Sequence, residues 1–447
     1  MSSEAKSAKV KSPNIASYDQ AAAIVAAYAV QFVRPHALVE RVELGRAHGR
    51  VLARPLHADR DQPPFARSTR DGFACRALEA SAHMPLLIEG AAKAGDAPSG
   101  PLSPGAAWEI MTGAPLPAGA DAVVMFEHVA VADGQVRLPP PRSVKQGDNV
   151  VSQGAQARAG DELLLPGTGI GAAQVALAAA CGHAALEVYP RPRVAILSTG
   201  DEIVPVRSLP APGQIRNSNS PMLAAMVVAA GGEPWILPTA PDEARALETA
   251  LAGAMDADLL IVTGGVSAGK FDLVEPALAR MGAKFHFTGV RIQPGKPLVF
   301  GEIPRSHGAA REPRGETQAL PFFGLPGNPV SSAVTFLLFA ALMVRALAGS
   351  REPGPRFALA RMAAQDGQQE KADAPVRSGA AGKPGLTRFL PAHCDFGVAT
   401  ENLPEVALVP WEGSGDLAAM ARSNCFLVVP EDADSLQAGA IVKILFA

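Results

Sequence analysis

Three glycine-bearing segments hold the residue types best suited to bind an anion, and each follows an apolar run that reads as a β-strand. They are Ser198-Thr199-Gly200-Asp201-Glu202, Thr263-Gly264-Gly265-Val266-Ser267-Ala268-Gly269 and Leu325-Pro326-Gly327-Asn328-Pro329. Glycine at a strand end lets backbone N–H groups approach a ligand, and a following helix N-terminus adds positive potential. One such turn often serves sterics alone; three together point to a phosphate-bearing ligand. Neither a Walker A pattern nor Gly-x-Gly-x-x-Gly is present, so ordinary nucleoside-triphosphate and dinucleotide sites lack support. Asp201, Glu202, Asp242 and Asp272 all fall just after expected strands. Carboxylates at that edge suit Mg²⁺, which takes one or two of them together with phosphates and waters. The plainer reading is that Asp242 caps a helix and Glu202 faces solvent. Lys296, in Gln293-Pro294-Gly295-Lys296-Pro297, sits in a stiffened loop where an ammonium suits an oxyanion, although a loop lysine is more often simply solvated.

Two further segments are unusual: Pro63 to Ala74, which contains Arg70-Asp71-Gly72, and Met111-Thr112-Gly113-Ala114-Pro115. Each alone reads as a turn, and residue-level reasoning does not tie either to the anion-binding turns.

The strands and helices that must position these residues fall into zones. The strand-like runs Val194 to Ser198, Trp235 to Leu237 and Leu259 to Thr263 alternate with helical stretches Pro221 to Ala230, Asp242 to Ala254 and Leu273 to Met281. That alternation predicts right-handed βαβ units around a parallel sheet over 191–350. In such sheets ligands lie outside the carboxyl ends of the strands. Residues 60–149 read as a small β module with short runs between Gly/Pro turns. Helical signal flanks it, so 17–59 and 150–190 read as one discontinuous linker domain interrupted by the module. Residues 356–447 return to β-like runs, including Asn424 to Pro430 and Ile441 to Phe446. Residues 1–16 read as a disordered tail, and Ser17-x-x-Gln20 as the capping box of a helix that stops before Pro35. Glu302 to Gln318 and Gln365 to Lys383 read as polar surface loops. The fold class is thus α/β and multidomain.

Composition narrows the function. A net charge of −3 gives no basic footprint for nucleic acid, and a small-molecule partner fits better. The 43 glycines and 40 prolines lack a Gly-X-Y period, so they mark turns rather than collagen. The apolar stretch Ala333 to Val344, interrupted only by Thr335, is shorter than a bilayer span, so no membrane segment is expected. Four dispersed cysteines without Cys-x-x-Cys argue against a zinc or disulfide framework and for a cytoplasmic setting.

Six motifs in order ("RDGFA", "MTGAPLPAGADAVVM", "STGDE", "TGGVSAGKFD", "QPGKPLVFG" and "GLPGNPVSS") resemble the molybdopterin molybdenumtransferases, which include the E domain of gephyrin. The resemblance runs from about Ser17 to the C-terminus. It implies a four-domain homodimer whose α/β domain binds the pterin, with the β module completing the cleft across the dimer and a small β-barrel at the C-terminus. The implied reaction takes molybdate and adenylylated molybdopterin, splits the phosphoanhydride with Mg²⁺, releases AMP and leaves molybdenum on the dithiolene. An adenylyltransferase supplying the pterin is an implied partner. Position by position, the resemblance makes Asp71 and Thr112 cleft residues and Glu202, Asp242 and Asp272 metal or substrate carboxylates. Thr199, Gly200, Gly264, Gly265, Ser267, Lys296, Pro326, Gly327 and Asn328 fall on pterin or oxyanion loops, and Ser414 matches a serine of the C-terminal domain. The chain departs from the pattern at Gln293, where a lysine is usual, at Gln156, where an acid is usual, and at Arg70. Gln293 and Gln156 favour one alternative, a pterin binder without insertion activity, which the retained Glu202, Asp242, Asp272 and Lys296 oppose. A tungstate-preferring relative using the same site is the other.

Overall fold

Runs such as Val194-Ala195-Ile196-Leu197 are apolar at every position because both faces of the strand are covered. The computed structural model describes residues 14–33, 38–96, 100–265, 273–305, 319–363, 385–397, 403–433 and 436–446. Val194 and Ile196 face one core with Leu259, Ile261 and Phe323. Ala195 and Leu197 face another with Leu260, Val262 and Phe322. The period of two divides each strand between two helical layers.

The central sheet runs, in spatial order, Glu233–Ile236, Arg193–Ser198, Leu259–Thr263, Ala319–Leu325, Val299–Pro304 and Lys284–Phe287. The first four are parallel, as the strand–helix alternation predicts. The last two are antiparallel, so the sheet is mixed rather than wholly parallel. Antiparallel neighbours need no helical crossover, and this edge departs from the βαβ rhythm.

The longest apolar helix runs from Pro329 to Leu347, with a π-helical turn at Phe336–Ala340. The apolar stretch Ala333 to Val344 understates it, because Pro329 suits the first helical turn and buried hydroxyls are absorbed locally. Thr335 Oγ1 donates to the Ser331 carbonyl at 2.7 Å, and Ser332 Oγ donates to the Pro326 carbonyl at 2.5 Å. By length and composition this helix is able to cross a membrane, but 89% of its most apolar window is buried inside the fold. It is the core helix of the central domain.

The capping box forms at the start of helix Tyr18–Val33: Gln20 N–H donates to Ser17 Oγ at 3.2 Å, and Ser17 N–H to Gln20 Oε1 at 2.9 Å. Its apolar face, Ala21, Val25, Ala29 and Phe32, packs into the central core rather than with the 40–57 segment that follows it. Just before it, Ile15–Ala16 pairs in parallel with Gly289–Val290, so the end of the expected tail is held to the central domain.

Segments flanking the β module pair with each other. Glu40–Glu43 joins Ala185–Val188, and Leu56–His57 joins Glu162–Leu164, around Val42, Leu52, Ile170 and Leu186. In the module's six-stranded sheet Gly72–Cys75 lies next to the edge, between the edge strand Ala122–Met125 and Ala106–Ile110. At the C-terminus, Thr387–Asp395, Glu405–Leu408, Phe357–Met362, Ile441–Phe446 and Cys425–Val429 close on themselves, because the last pairs back to the first. Closure leaves this barrel without a free edge.

Candidate functional site

The carboxyl ends of the parallel strands converge through side-chain hydrogen bonds. Thr263, the last residue of its strand, accepts from Asn219 Nδ2 at 2.9 Å, lies 3.2 Å from Ser332 Oγ and donates to the Pro326 carbonyl at 3.3 Å. Asn219 Nδ2 also donates to the Gly327 carbonyl at 2.7 Å. One buried node therefore ties a strand end to the starts of the helices Asn219–Ala229 and Pro329–Thr335. Thr263 and Ser332 lie inside the motifs that carry the resemblance but take no role from it, and Asn219 lies outside them; the polar run Asn217-Ser218-Asn219-Ser220 at a helix start was its available signal.

Over this node lie the predicted glycines. Gly264 and Gly265 have φ of +90° and +61°, and a Cβ on either would meet Thr199, at 2.8 Å from its carbonyl oxygen and its Oγ1 respectively. No side chain fits there, so backbone is pressed onto Thr199. Thr199 Oγ1 and Asn219 Oδ1 are both buried without a hydrogen-bond partner among the described residues. Buried polar atoms left without a partner call for a physical explanation, and a functional role at a strand end is one.

Asn328 precedes the core helix with an extended backbone, but its side chain does not cap it. The amide instead donates to Ser414 Oγ at 2.8 Å, and the Ser414 carbonyl accepts from Val330 N–H at 3.0 Å. The Gly413-Ser414-Gly415 turn of the barrel domain is thereby fixed at the mouth of the central domain. The Lys296 loop lies on the same helix: a Cβ on Gly295 would meet Thr335 Cγ2 at 2.6 Å. Lys296 is exposed, and its neighbour Gln293 pairs with Arg388 of the barrel strand Thr387–Asp395. Gln293, where the resemblance leads one to expect a lysine, is half-buried, and its Oε1 has no partner among the described residues.

Asp201, Glu202 and Asp242 form an acidic rim beside Gly200. Asp201 Oδ1 accepts from Asp242 N–H at 3.0 Å. Burial and then the charges of Asp201 and Glu202 push the Asp242 carboxyl above its ordinary value. Helix capping does not account for Asp242, since the helix Ala244–Gly253 has Glu243 at its N-cap without a side-chain bond. Among the described residues no three His, Cys, Asp or Glu side chains already form a metal shell. Asp272 and Ser267 lie outside the described residues.

Asp71 and Thr112 meet each other but not this edge. Thr112 donates to Asp71 Oδ1 twice, from N–H at 2.6 Å and from Oγ1 at 2.8 Å. Those two bonds hold the Asp71 carboxyl below the usual range; the neighbouring Arg70 is not their source. The strand partners of Gly72–Cys75 are all within the β module.

The sequence and the fold have their counterparts in known proteins. Residues 16–182 match the MoeA N-terminal region (domain I and II), 195–346 the probable molybdopterin binding domain and 373–446 the MoeA C-terminal region (domain IV). A molybdopterin molybdenumtransferase of Nostoc is 39% identical over 69% of this chain and 70% of its own. That of Bacillus subtilis is 32% identical over 91% and 89% respectively. The chain belongs to the molybdopterin molybdenumtransferase family. A crystal structure of the molybdopterin biosynthesis MoeA protein from Pyrococcus horikoshii, 25% identical, superposes with a TM-score of 0.73 over 97% of this chain and all of that one. The mixed sheet and the closed barrel are thus features of a family fold.

Proposed function

We propose that this protein transfers molybdenum from molybdate to adenylylated molybdopterin, releasing AMP. The observation that carries this reading is the convergence of Thr199, Gly264, Gly265, Pro326 to Asn328 and Ser414 at one strand edge, in a chain of this family. Exposed backbone at the glycine turns and the N-terminus of the core helix would bind the anionic arm of the pterin. Lys296, exposed on the loop packed against that helix, would hold an oxyanion. No cysteine is required at the metal, since the substrate's dithiolene supplies the sulfur.

The donor set fits a divalent cation. Burial and then the neighbouring charges of Asp201 and Glu202 raise Asp242, and carboxylates crowded at a phosphate site suit Mg²⁺. When bound, such an ion would offset charge on phosphoanhydride oxygens. Glu202 and Asp242 would hold it, with Asp272 carried over by motif position. Asp71 and Thr112 would complete the cleft from the second subunit of a homodimer, because their own module does not deliver them to this edge.

A single-turnover assay with adenylylated molybdopterin, Mg²⁺ and molybdate tests the reading. AMP release is expected to require molybdate and to yield cofactor that activates an apo-molybdoenzyme. Glu202→Ala should slow that release by at least about a hundredfold while leaving the unfolding midpoint near that of the parent, since Glu202 is exposed. Tight pterin binding without AMP release would overturn the enzymatic reading and leave a pterin-binding protein.

A further inference from the structure

At the opposite end of the central sheet, four arginines line one cavity. Arg191 stands two residues before the strand Arg193–Ser198, and Ala230 and Gly231 lie between the helix Asn219–Ala229 and the strand Glu233–Ile236. The cavity is therefore at the amino ends of the strands, whereas Thr199 and Gly264 follow their carboxyl ends. Its volume is about 370 Å³, in the range of small-ligand sites.

The charge within it is unbalanced. Arg50 Nη2 donates to Glu40 at 2.5 Å and to the Tyr189 carbonyl at 3.0 Å, and the same Glu40 also feels Arg191. Arg345 and Arg356 have no carboxylate partner among the described residues, although Arg345 Nη1 donates to the carbonyls of Pro353 and Gly354. Burial is the larger cause destabilising the Arg345 charge, and repulsion by Arg356 adds to it. Helix C-termini at Ala229 and Leu347 open toward the cavity and carry roughly half a negative charge each. That falls short of the two positive charges of the pair. Val51, Ile170 and Ala230 add an apolar wall to the lining.

We infer that this cavity binds a small organic phosphate, with the phosphate between Arg345 and Arg356 and the organic part against Val51, Ile170 and Ala230. A phosphate monoester carries about −1.5 to −2 near pH 7 and accepts forked bonds from guanidinium groups. A lone inorganic oxyanion would leave the apolar wall unfilled. The ligand would also touch both interdomain connectors, since Tyr189 to Pro192 leads into the central domain and Gly349 to Arg356 leads out to the barrel.

Calorimetric titration of the full chain with phenyl phosphate and with inorganic phosphate tests the site. Phenyl phosphate is expected to bind, and about tenfold or more tighter than inorganic phosphate. Arg356→Gln should weaken it by about tenfold and Arg356→Glu should abolish it, with the unfolding midpoint unchanged because Arg356 is exposed. Lys296→Ala, at the other edge of the sheet, should leave the affinity as it was. Equal affinity for the two probes would overturn the assignment of an organic body. Indifference to Arg356→Gln, dependence on Lys296, or no binding up to about 10 mM would overturn the site itself.

Discussion

At the scale of single residues, two of the candidate carboxylates are displaced in opposite directions. Asp71 is held low by two donors from Thr112, and Asp242 is held high by burial and by Asp201 and Glu202. A carboxyl raised in the folded chain keeps its proton longer there than in the unfolded chain. Stability therefore falls as pH rises from the ordinary carboxylate range through the raised value, and the full cost persists above it. Asp242→Asn removes that cost. Its unfolding midpoint should rise near pH 7 by the equivalent of about 0.5 kcal/mol or less, because Asp242 is exposed and solvent screens the repulsion. Below about pH 3, where the carboxylates are protonated, the difference should vanish. Added Mg²⁺ should stabilise the parent more than the variant. Thermal melts at the two pH values, with and without Mg²⁺, check all three. An unchanged midpoint near pH 7 would remove the mutual-repulsion account of this rim.

At the scale of elements, the strands were legible where burial on both faces makes a run apolar, and the glycine turns where a φ above zero or a close approach excludes a side chain. Val194 to Ser198, Leu259 to Thr263 and the capping box at Ser17 belong to this class. The antiparallel pair Lys284–Phe287 and Val299–Pro304 was not legible, because the edge strand Lys284–Phe287 is buried only in part and carries a lysine and a histidine, and strand direction leaves no mark on local pattern. The closing of the barrel by Cys425–Val429 on Thr387–Asp395 depends on pairing across a long stretch of chain and is equally silent in local pattern. The same holds for the Asn219–Thr263–Ser332 node, whose members are ordinary polar residues until the fold brings them together. Its contribution is measurable. Thr263→Val keeps the side-chain shape but removes the hydroxyl shared by Asn219, Ser332 and Pro326, which should cost about 1–2 kcal/mol. The glycine turn that follows and the Pro326 to Asn328 turn both rest on this node, so the KM for the pterin substrate should rise more than kcat falls. Thermal unfolding together with steady-state kinetics would show it. A loss of stability with KM unchanged would make the node structural only.

At the scale of the whole molecule, the distribution of residues over domains raises the question of how many chains make one site. Asp71 and Thr112 are bound to each other inside a module whose strands pair only among themselves or with its own flanks. The strand-edge turns are instead completed within the chain by Ser414 of the barrel. A homodimer in which one subunit's β module faces the other's strand edge accommodates both facts, and it predicts complementation. Asp71→Ala and Lys296→Ala should each be inactive alone. Mixed after dissociation and reassociation, half of the dimers carry one of each, and in those dimers one of the two sites draws both intact residues. Specific activity should then recover to about a quarter of the parent's. If Asp71 and Lys296 of the same chain served one site, every site in every mixed dimer would lack one of them, and no activity would return. The recovered fraction, read alongside the oligomeric state in solution, therefore decides between a site built across two subunits and one built within each.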